Sequence, residues 1–318
     1  MIRLSVIIPH YNSTETLSKL LESIPVNKEI QVLVIDDHSN EQEKQKLQKI
    51  KEHCAHKNIH FLTNDPNKKG AGACRNIGLK KAVGEWVLFA DSDDFFVDDF
   101  YNIVKQHFST GFDVIFFKPT SVELDTGNVS NRHIKFANAV NDYSNTGDLK
   151  SELTLKYRVV VPWSKLIKRN VITKNKILFE EVVSSNDVMF SARLGCCIKS
   201  FGVSNETIYC VTKSKGSLTT SIDNDKFDVR LGVFVRYYHF LQEHLSKEDF
   251  KLLDLSGEGQ IYKAKNYGFK KIYNVIRTLN SNKVRVVSRE TLNPIRLFKK
   301  ATFILSWSKK TKRFYAKN

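Results

Sequence analysis

Short apolar runs alternate with longer amphipathic or charged segments along the first 120 residues. The runs are rich in Val, Ile, Leu and Phe, which is typical of strands buried inside a parallel sheet. The segments between them have the length and spacing of helices. This alternation predicts an α/β fold, with a mainly parallel sheet flanked by helices. The predicted strands are 4–8, 32–35, 59–62, 86–90 and 113–117, and the predicted helices are 12–23, 41–55 and 71–82.

Local signals predict where some of these elements begin and end. Pro9 should end the first strand. Asn12 should cap the helix that follows, with Glu15 as its capping-box partner. Asp94 is a candidate cap for the helix after the fourth strand, with the aromatic pair at 95–96 packing inward.

The rest of the chain has two further patterns. Residues 121–222 mix strand and turn signals, and the pattern after about residue 225 is helical. We therefore predict three parts: an α/β half over 1–120, a mixed part of the same domain over 121–222, and a helical region over 223–318.

The net charge of +16 is concentrated at the C-terminal end. Residues 251–318 carry twelve Lys and five Arg against two Glu and one Asp, a net charge of +14. This charge favours an anionic partner, which could be nucleic acid, an anionic membrane or an acidic protein. Helical spacing over 296–308 would separate apolar from basic residues, as in a helix that lies on a membrane surface. Packing of the apolar stripe on the protein's own helices is an equal alternative.

Cysteine content and hydropathy bear on location. The five cysteines are odd in number and lack C-x-x-C spacing, which argues against a disulfide scaffold or a structural zinc site. The N-terminus lacks the pattern of a secretory signal, and no run of 18 uncharged apolar residues occurs. We expect a cytoplasmic protein, peripheral on the inner face of the membrane if residues 295–318 bind lipid.

Polar clusters follow three of the predicted strands, at 9–12, 36–39 and 91–94. Ligands of open α/β sheets bind outside the carboxyl ends of the strands, so three such clusters predict a binding site. The acidic pair at 36–37, taken alone, would fit helix capping equally well. Neither a G-x-G-x-x-G motif nor a P-loop is present, which argues against those two kinds of nucleotide site.

Asp91 and Asp93 are the strongest single chemical signal. Two carboxylates two positions apart after a strand can hold a hard cation through oxygen, so Mg²⁺ or Mn²⁺ is expected rather than zinc. An acidic turn without a ligand is the alternative. The segment 68–76 adds a glycine turn and Arg75, and an arginine can bridge a carboxylate and a phosphate.

Four motifs, taken in their order and spacing, resemble those of the family-2 glycosyltransferases, which have the GT-A fold. They cover about residues 4–100, and a looser similarity extends to about residue 220. The four motifs are Ser5-Val-Ile-Ile-Pro-His-Tyr-Asn12, Val34-Ile-Asp-Asp-His-Ser-Asn40, Gly70 to Gly78, and Phe89-Ala-Asp-Ser-Asp-Asp94. The looser motifs are Trp163-Ser-Lys-Leu166, Phe179-Glu180, Ser185-Asn-Asp-Val-Met-Phe190 and Lys215-Gly-Ser217.

The resemblance implies an inverting, metal-dependent glycosyltransferase. Its donor would be a nucleotide sugar, with a UDP-sugar favoured, and its acceptor a saccharide or lipid-linked saccharide of surface polysaccharide synthesis, held by residues 121–222. Asp37 would accept a hydrogen bond from the uracil imide, and Arg75 would lie near Asp91 and the diphosphate. The implied roles are nucleotide binding by Pro9, Tyr11, Asn12, Asp37, Arg75, Asp91 and Ser92, Mn²⁺ or Mg²⁺ binding by Asp93 and Asp91, acceptor binding by Trp163 and Lys165, and general-base catalysis by Asp187.

The sequence departs from the family pattern at two places. Lys68 stands where the family often has Asn, and Asn186 precedes Asp187 where the family has Glu. Glu180 and Glu181 are alternative bases. The alternatives to a glycosyltransferase are a catalytically inactive nucleotide-binding partner subunit, a nucleotidyltransferase and a basic nucleic-acid-binding protein. The resemblance favours the enzyme, for which no nucleic acid is expected, and the oligomeric state is not predicted.

Overall fold

The computed structural model describes residues 1–54, 58–213, 223–289 and 291. The chain divides into two compact units, Met1–Val233 and Phe234–Asn318. The ten described strands all lie in the first unit. They are β1 (Leu4–His10), β2 (Ile30–Asp36), β3 (Ile59–Thr63), β4 (Trp86–Phe89), β5 (Phe95–Phe96), β6 (Val114–Phe117), β7 (Thr120–Glu123), β8 (Lys165–Lys168), β9 (Phe201–Ser204) and β10 (Tyr209–Lys213).

Seven strands form one sheet, in the order β3-β2-β1-β4-β8-β6-β9. Six of them run in the same direction, and β8 runs antiparallel between β4 and β6. A second sheet has the order β5-β10-β7. The predicted α/β fold with a mainly parallel sheet is confirmed.

Helices connect the strands and continue into the second unit. The helices are α1 (Thr14–Glu22), α2 (Glu41–His53), α3 (Ala71–Lys81), α4 (Phe100–Lys105), α5 (Ile134–Thr146), α6 (Leu149–Leu153), α7 (Arg169–Lys174), α8 (Asn186–Cys197), α9 (Asn224–His244), α10 (Lys247–Leu253), α11 (Glu258–Ala264) and α12 (Phe269–Ser281). The described part of the C-terminal region is helical, as predicted. No helix of the described residues has the length and apolar character needed to cross a bilayer.

The core of the first unit forms around the central strands. All seven residues of β1 and of β2 are buried, as expected for strands that have neighbours on both edges and helices on their faces. Helix α3 lies close to β1 at Gly78, where an added Cβ would come within 2.4 Å of Ile7 Cγ2. A larger residue at position 78 would therefore push the helix away from the sheet.

The prediction that Pro9 ends the first strand is wrong. Strand β1 continues to His10, and Pro9 pairs in register with Ile35 of β2. A proline has no N–H to donate, and this is tolerated at position 9. Backbone polar groups two residues apart in a strand point to the same edge, so those of Pro9 point to the edge where Ile7 meets β4. The Ile7 carbonyl accepts from Ala90 N at 3.1 Å, just past the end of β4, so the position of Pro9 lies beyond the β4 ladder.

Two capping predictions are also wrong. Ser13, not Asn12, precedes α1, and it makes no side-chain cap. Asn12 has a left-handed backbone with φ 48°, and its side chain contacts another loop instead. Asp94 is buried and bonds to β10, while residues 95–96 form a strand. In each case a partner distant in sequence takes the polar group that a local helix end would otherwise use.

Candidate functional site

Three loops lie side by side at one edge of the large sheet. They follow β1, β4 and β2, which are parallel neighbours, so the carboxyl ends of the strands meet at this edge. Residues 11–13 follow β1, residues 37–40 follow β2 and residues 91–94 follow β4. The loop 91–94 is called the acidic loop below. The three polar clusters predicted from the sequence thus meet at one edge.

Side-chain hydrogen bonds join the loops after β1 and β2. The Asp36 carboxylate accepts from Ser39 N at 3.2 Å and from Ser39 Oγ at 2.6 Å. Ser39 Oγ in turn accepts from Asn12 N at 2.9 Å, and Asn12 Oδ1 accepts from Asn40 N at 2.8 Å. Asn12 therefore fixes the shape of this corner, beside the exposed ring of Tyr11.

Asp37 closes the loops after β2 and β3. Its Oδ1 accepts from Asn64 Nδ2 at 2.6 Å, and its Oδ2 accepts from the Gly70 backbone N at 2.7 Å. Both carboxylate oxygens thus have a protein donor. Asn64, which directly follows β3, was not identified from the sequence, although a polar residue close to the end of a predicted strand was a signal already used for the other strands.

A partly buried chain of polar side chains links this corner to the acidic loop. His10 Nδ1 lies 3.1 Å from Ser13 Oγ, which lies 2.8 Å from Ser92 Oγ. His10 Nε2 lies 3.9 Å from Asp36 Oδ1. Burial lowers the pKa of His10, although Asp36 opposes the shift, so a neutral imidazole is expected at neutral pH. Ser13 and Ser92 thereby connect the ends of β1 and β4.

The acidic loop gathers three carboxylates. Each of Asp91, Asp93 and Asp94 offers an oxygen within 4.8 Å of the others. Asp94 is anchored to β10, because its carboxylate accepts from Tyr209 Oη at 2.9 Å and from Thr212 N at 2.8 Å. Tyr209 Oη also accepts from Asp91 N at 2.8 Å. Tyr209 and Thr212 were missed from the sequence because no local motif marks residues that approach from more than 100 positions away.

Negative charge is concentrated in this loop. Burial raises the pKa of Asp94 well above its usual range, and the neighbouring Asp93 and Asp91 raise it further. Desolvation of its carboxyl group raises the pKa of Asp93 as well, and the negative charge of Asp91 raises it further. The rest of the Asp93 residue is exposed to solvent. Because both oxygens of Asp94 already have donors, Asp91 and Asp93 are the carboxylates best able to hold a hard cation.

Arg75 of α3 joins the acidic loop to α8. One of its terminal nitrogens pairs with the Asp91 carboxylate, and Nη1 donates to Asn186 Oδ1 at 2.7 Å. Its guanidinium lies 5.3 Å from the ring centroid of Phe179. The side chain is almost wholly buried, so these partners hold it in one position. Asn186, which departs from the family pattern, is thus a neutral acceptor for Arg75.

Close backbone approach supports this arrangement. An added Cβ at Gly72, one residue into α3, would come within 2.2 Å of Glu180 O. Asn76, one turn later, accepts from Phe179 N at 2.9 Å and donates to Phe179 O at 3.0 Å. These contacts fix the segment that leads into α8.

Asp187 lies in the first turn of α8, directly after the partner of Arg75. Burial raises the pKa of its carboxyl group. Arg75 opposes that shift, Asp91 adds to it, and Lys165 opposes it. The structure thus brings Asp187 into the electrostatic field of both the acidic loop and two cations.

Trp163 and Lys165 lie beneath the surface. Trp163 stacks on Tyr209 with ring centroids 5.8 Å apart, and so supports the anchor of the acidic loop. Lys165 Nζ donates to Val159 O at 2.5 Å and lies 5.6 Å from the Phe116 ring centroid. Burial lowers the pKa of Lys165 to about 7. Any effect of these two residues on an acceptor would act through their neighbours.

Glu181 has a structural partner. It forms an ion pair with Lys68, with Nζ and Oε2 2.8 Å apart, and the bond from Lys68 lowers the pKa of Glu181. Lys68, the second departure from the family pattern, therefore ties the glycine turn to the segment before α8. The motif at 215–217 and the basic segment 295–318 lie outside the described residues.

Comparisons with known proteins show the family of this chain. Residues 5–175 match the Glycosyl transferase family 2. The poly(ribitol-phosphate) β-N-acetylglucosaminyltransferase TarS of Staphylococcus aureus (strain MW2) is 29% identical over 234 residues, which are 70% of this chain and 37% of that protein. The chain therefore spans well under half the length of this relative.

Solved structures share the fold. The structure of S. aureus TarS 1-349 in complex with UDP-GlcNAc aligns with a TM-score of 0.66 at 22% identity, over 86% of this chain and 79% of that chain. The mannosyltransferase PcManGT from Pyrobaculum calidifontis, in complex with GDP-Man and Mn²⁺, aligns with a TM-score of 0.54 at 14% identity. The alignment covers 99% of this chain and 88% of that chain. The family match covers more than half of the chain, and the chain belongs to glycosyltransferase family 2.

Proposed function

We propose that the chain is an inverting glycosyltransferase that transfers a sugar from a nucleotide sugar to a hydroxyl group of a saccharide acceptor. The observation that carries the proposal is the bridge made by Arg75, which contacts both Asp91 of the acidic loop and Asn186 of α8. Asp187 follows Asn186. A candidate cation site and a candidate base are therefore coupled through one buried guanidinium. Membership of the family supports the same activity.

The corner formed by the loops after β1 and β2 suits a nucleoside, and we favour uridine. Tyr11 offers an exposed ring there. Each Asp37 oxygen has one protein donor and keeps a lone pair that could accept from a uracil imide. Pro9 and Asn12 shape this corner, and Ser92 connects it to the diphosphate side.

Asp91 and Asp93 would hold Mn²⁺ or Mg²⁺. The fit rests on hard oxygen donors at close spacing and on the excess of negative charge in the loop. A divalent cation, when bound, would neutralise charge on the departing nucleoside diphosphate. Arg75 would keep Asp91 in position.

Asp187 would act as the general base. It would take the proton of the acceptor hydroxyl as that oxygen forms a bond to the anomeric carbon, while the bond from that carbon to the diphosphate oxygen breaks. The nucleoside diphosphate leaves with the bonding electrons, so the configuration inverts. Arg75 and Lys165 oppose the rise in the pKa of Asp187 and so favour the ionised form that accepts a proton.

The acceptor is proposed from the relatives. TarS is named for transfer to poly(ribitol phosphate), so this anionic polymer belongs in an acceptor panel beside lipid-linked saccharides and other surface polysaccharides. Acceptor binding by residues 121–222, and a cytoplasmic location with membrane contact through 295–318, rest on the sequence alone.

The test is a binding and turnover panel on the full chain. UDP, GDP and their sugars are screened with Mn²⁺ by thermal shift, where a ligand at 100 times its Kd stabilises the fold by about 2.7 kcal/mol. Release of the nucleoside diphosphate is then measured with each acceptor. Stabilisation by a UDP-sugar together with acceptor-dependent release is expected. Stabilisation without release from any acceptor would favour an inactive partner subunit, and binding of nucleic acid alone would contradict the proposal.

A further inference from the structure

The second unit carries three exposed aromatic side chains on adjacent elements. Tyr262 of α11 is 70% exposed, and Phe269 and Tyr273 of α12 are 91% and 66% exposed. Phe269 and Tyr273, which share one helix, are called the aromatic face below. The proposed reaction uses none of them, and the inference drawn from them is independent of that reaction.

Helix α12 does not need these aromatics for its own packing. Val275 and Leu279, four residues apart, are wholly buried on one side of the helix. Phe269 and Tyr273 are also four residues apart, and so share another side. Gly257 packs against Leu279, where an added Cβ would come within 2.3 Å of its Cδ1. The buried side thus holds the unit together, and the aromatic side remains exposed.

Lysines are frequent in the part of the chain that carries the exposed aromatics. Lys265 Nζ lies 5.1 Å from the ring centroid of Tyr262. Lys263, Lys270 and Lys271 belong to the same stretch, in which Glu258 is the one acidic residue between 258 and 281. Aromatic rings beside ammonium groups present apolar area and positive charge together.

We propose that the aromatic face docks on the surface of an anionic lipid bilayer. The exposed Phe269 and Tyr273 would leave water for the boundary between headgroups and acyl chains, and the lysines would meet anionic headgroups. This surface consists of described residues and differs from the basic segment 295–318.

Charge argues against two other occupants. Residues 292–318 contain six Lys and two Arg and no acidic residue, so like charges would oppose packing of this segment on the lysines. A symmetric contact with a second copy would set the same lysines against each other. Single-stranded nucleic acid would match the charge, but such ligands are usually held in a groove, whereas these aromatics lie on the outside of a helix.

The test is flotation of the full chain with lipid vesicles, either phosphatidylcholine alone or phosphatidylcholine mixed with phosphatidylglycerol. Two double variants remove the aromatic and the basic contributions, Phe269→Ser with Tyr273→Ser, and Lys270→Glu with Lys271→Glu. The matched control, Val26→Ser with Val83→Ser, removes two exposed apolar side chains from the first unit. Thermal unfolding verifies that every variant is folded.

The intact chain and the control should float with the anionic vesicles only, and less so at high salt. Each double variant should bind these vesicles at least about tenfold more weakly than the intact chain does. Flotation of both double variants at the level of the intact chain would overturn the proposal and assign lipid binding to another segment. Failure of the intact chain to float, or binding of a labelled single-stranded oligonucleotide in place of vesicles, would overturn it as well.

Discussion

The ends of β2 and β4 carry acidic residues of the same type in opposite electrostatic settings. After β2, each oxygen of Asp37 accepts from the protein, one from Asn64 and one from the Gly70 backbone. After β4, three carboxylates lie within 4.8 Å of one another, and desolvation and mutual repulsion raise the pKa of Asp93 and of Asp94.

The difference separates a carboxylate that closes two loops from the carboxylates that, in the proposed function, would hold a cation. An acidic side chain with a donor for each oxygen closes loops and keeps its charge at little cost. In the acidic loop Asp94 also has a donor for each oxygen, yet burial and the neighbouring Asp93 and Asp91 still raise its pKa, so donors alone do not offset the charge of three crowded carboxylates. Arg75 reaches only Asp91, so a divalent cation would supply what the acidic loop lacks. Substitutions at the two strand ends should therefore have different consequences.

The largest expected effect is at Asp187 of α8, whose pKa responds to Asp91 of the acidic loop and to Arg75. The change Asp187→Asn should lower the rate of transfer by about 10²–10⁴-fold, because it removes the proposed base. Affinity for UDP should change little. Steady-state kinetics and calorimetry measure the two, with Glu181→Gln as a control that should retain activity. A parallel fall in UDP affinity would make Asp187 a structural or nucleotide-binding residue instead.

Removal of the Asp37 carboxylate should destabilise the fold. The change Asp37→Ala leaves the Gly70 N–H without its acceptor and leaves Asn64 Nδ2 with Lys68 O alone, at 3.3 Å, and we expect a loss of about 2 kcal/mol in the free energy of unfolding. Urea unfolding measures it, with Asp65→Ala in the neighbouring loop as the control. An unchanged midpoint would mean that Asp37 serves ligand binding alone.

Lys165 should affect the pH dependence of transfer through Asp187. Its Nζ donates to Val159 O, while Ser191, one turn after Asp187 on α8, donates to Val160 O at 2.6 Å. Burial lowers the pKa of Lys165 to about 7, so its ammonium is charged at acidic pH, and the charged form lowers the pKa of Asp187.

The change Lys165→Met should therefore move the acid limb of the pH–rate profile to higher pH, because the charge that lowers the pKa of Asp187 is lost. Ser191→Ala removes the neighbouring bond but keeps the charge, and its acid limb should stay in place. Equal shifts in both variants would assign the effect to packing rather than charge.

The smallest effect expected is a gain in stability. Without metal, Asp93→Ala should stabilise the fold by about 1 kcal/mol or less at neutral pH, because it removes a carboxylate that is desolvated and repelled by Asp91. The pKa of Asp93 is raised in the folded protein. Below the ordinary pKa of an aspartate its carboxyl group is protonated and does not lower the stability of the fold, whereas the ionised group destabilises the fold as pH rises through the raised pKa. The gain should accordingly vanish near pH 3, and thermal unfolding across pH measures it. Destabilisation at neutral pH would contradict the comparison.

The sequence predicted which residues gather at this edge of the sheet better than it predicted the contacts among them. Strand ends and the acidic loop follow from short-range patterns, because buried strands are apolar and polar residues collect where they stop. The contacts of Tyr209 with the acidic loop, of Asn64 with Asp37, and the insertion of β8 between β4 and β6 depend on segments far apart in sequence. No local pattern distinguishes Asp37 from Asp93, since their roles differ in the donors that the fold brings to each.

The most direct measurement is calorimetry of UDP binding to the full chain, with Mn²⁺ and with EDTA, for the unmodified protein and for Asp93→Ala. Mn²⁺ should strengthen binding to the unmodified protein by tenfold or more, equivalent to about 1.4 kcal/mol. In Asp93→Ala the two affinities should be equal, at the weaker value. Equal affinities in the unmodified protein, or full enhancement by Mn²⁺ in Asp93→Ala, would contradict the assignment of the acidic loop as a cation site.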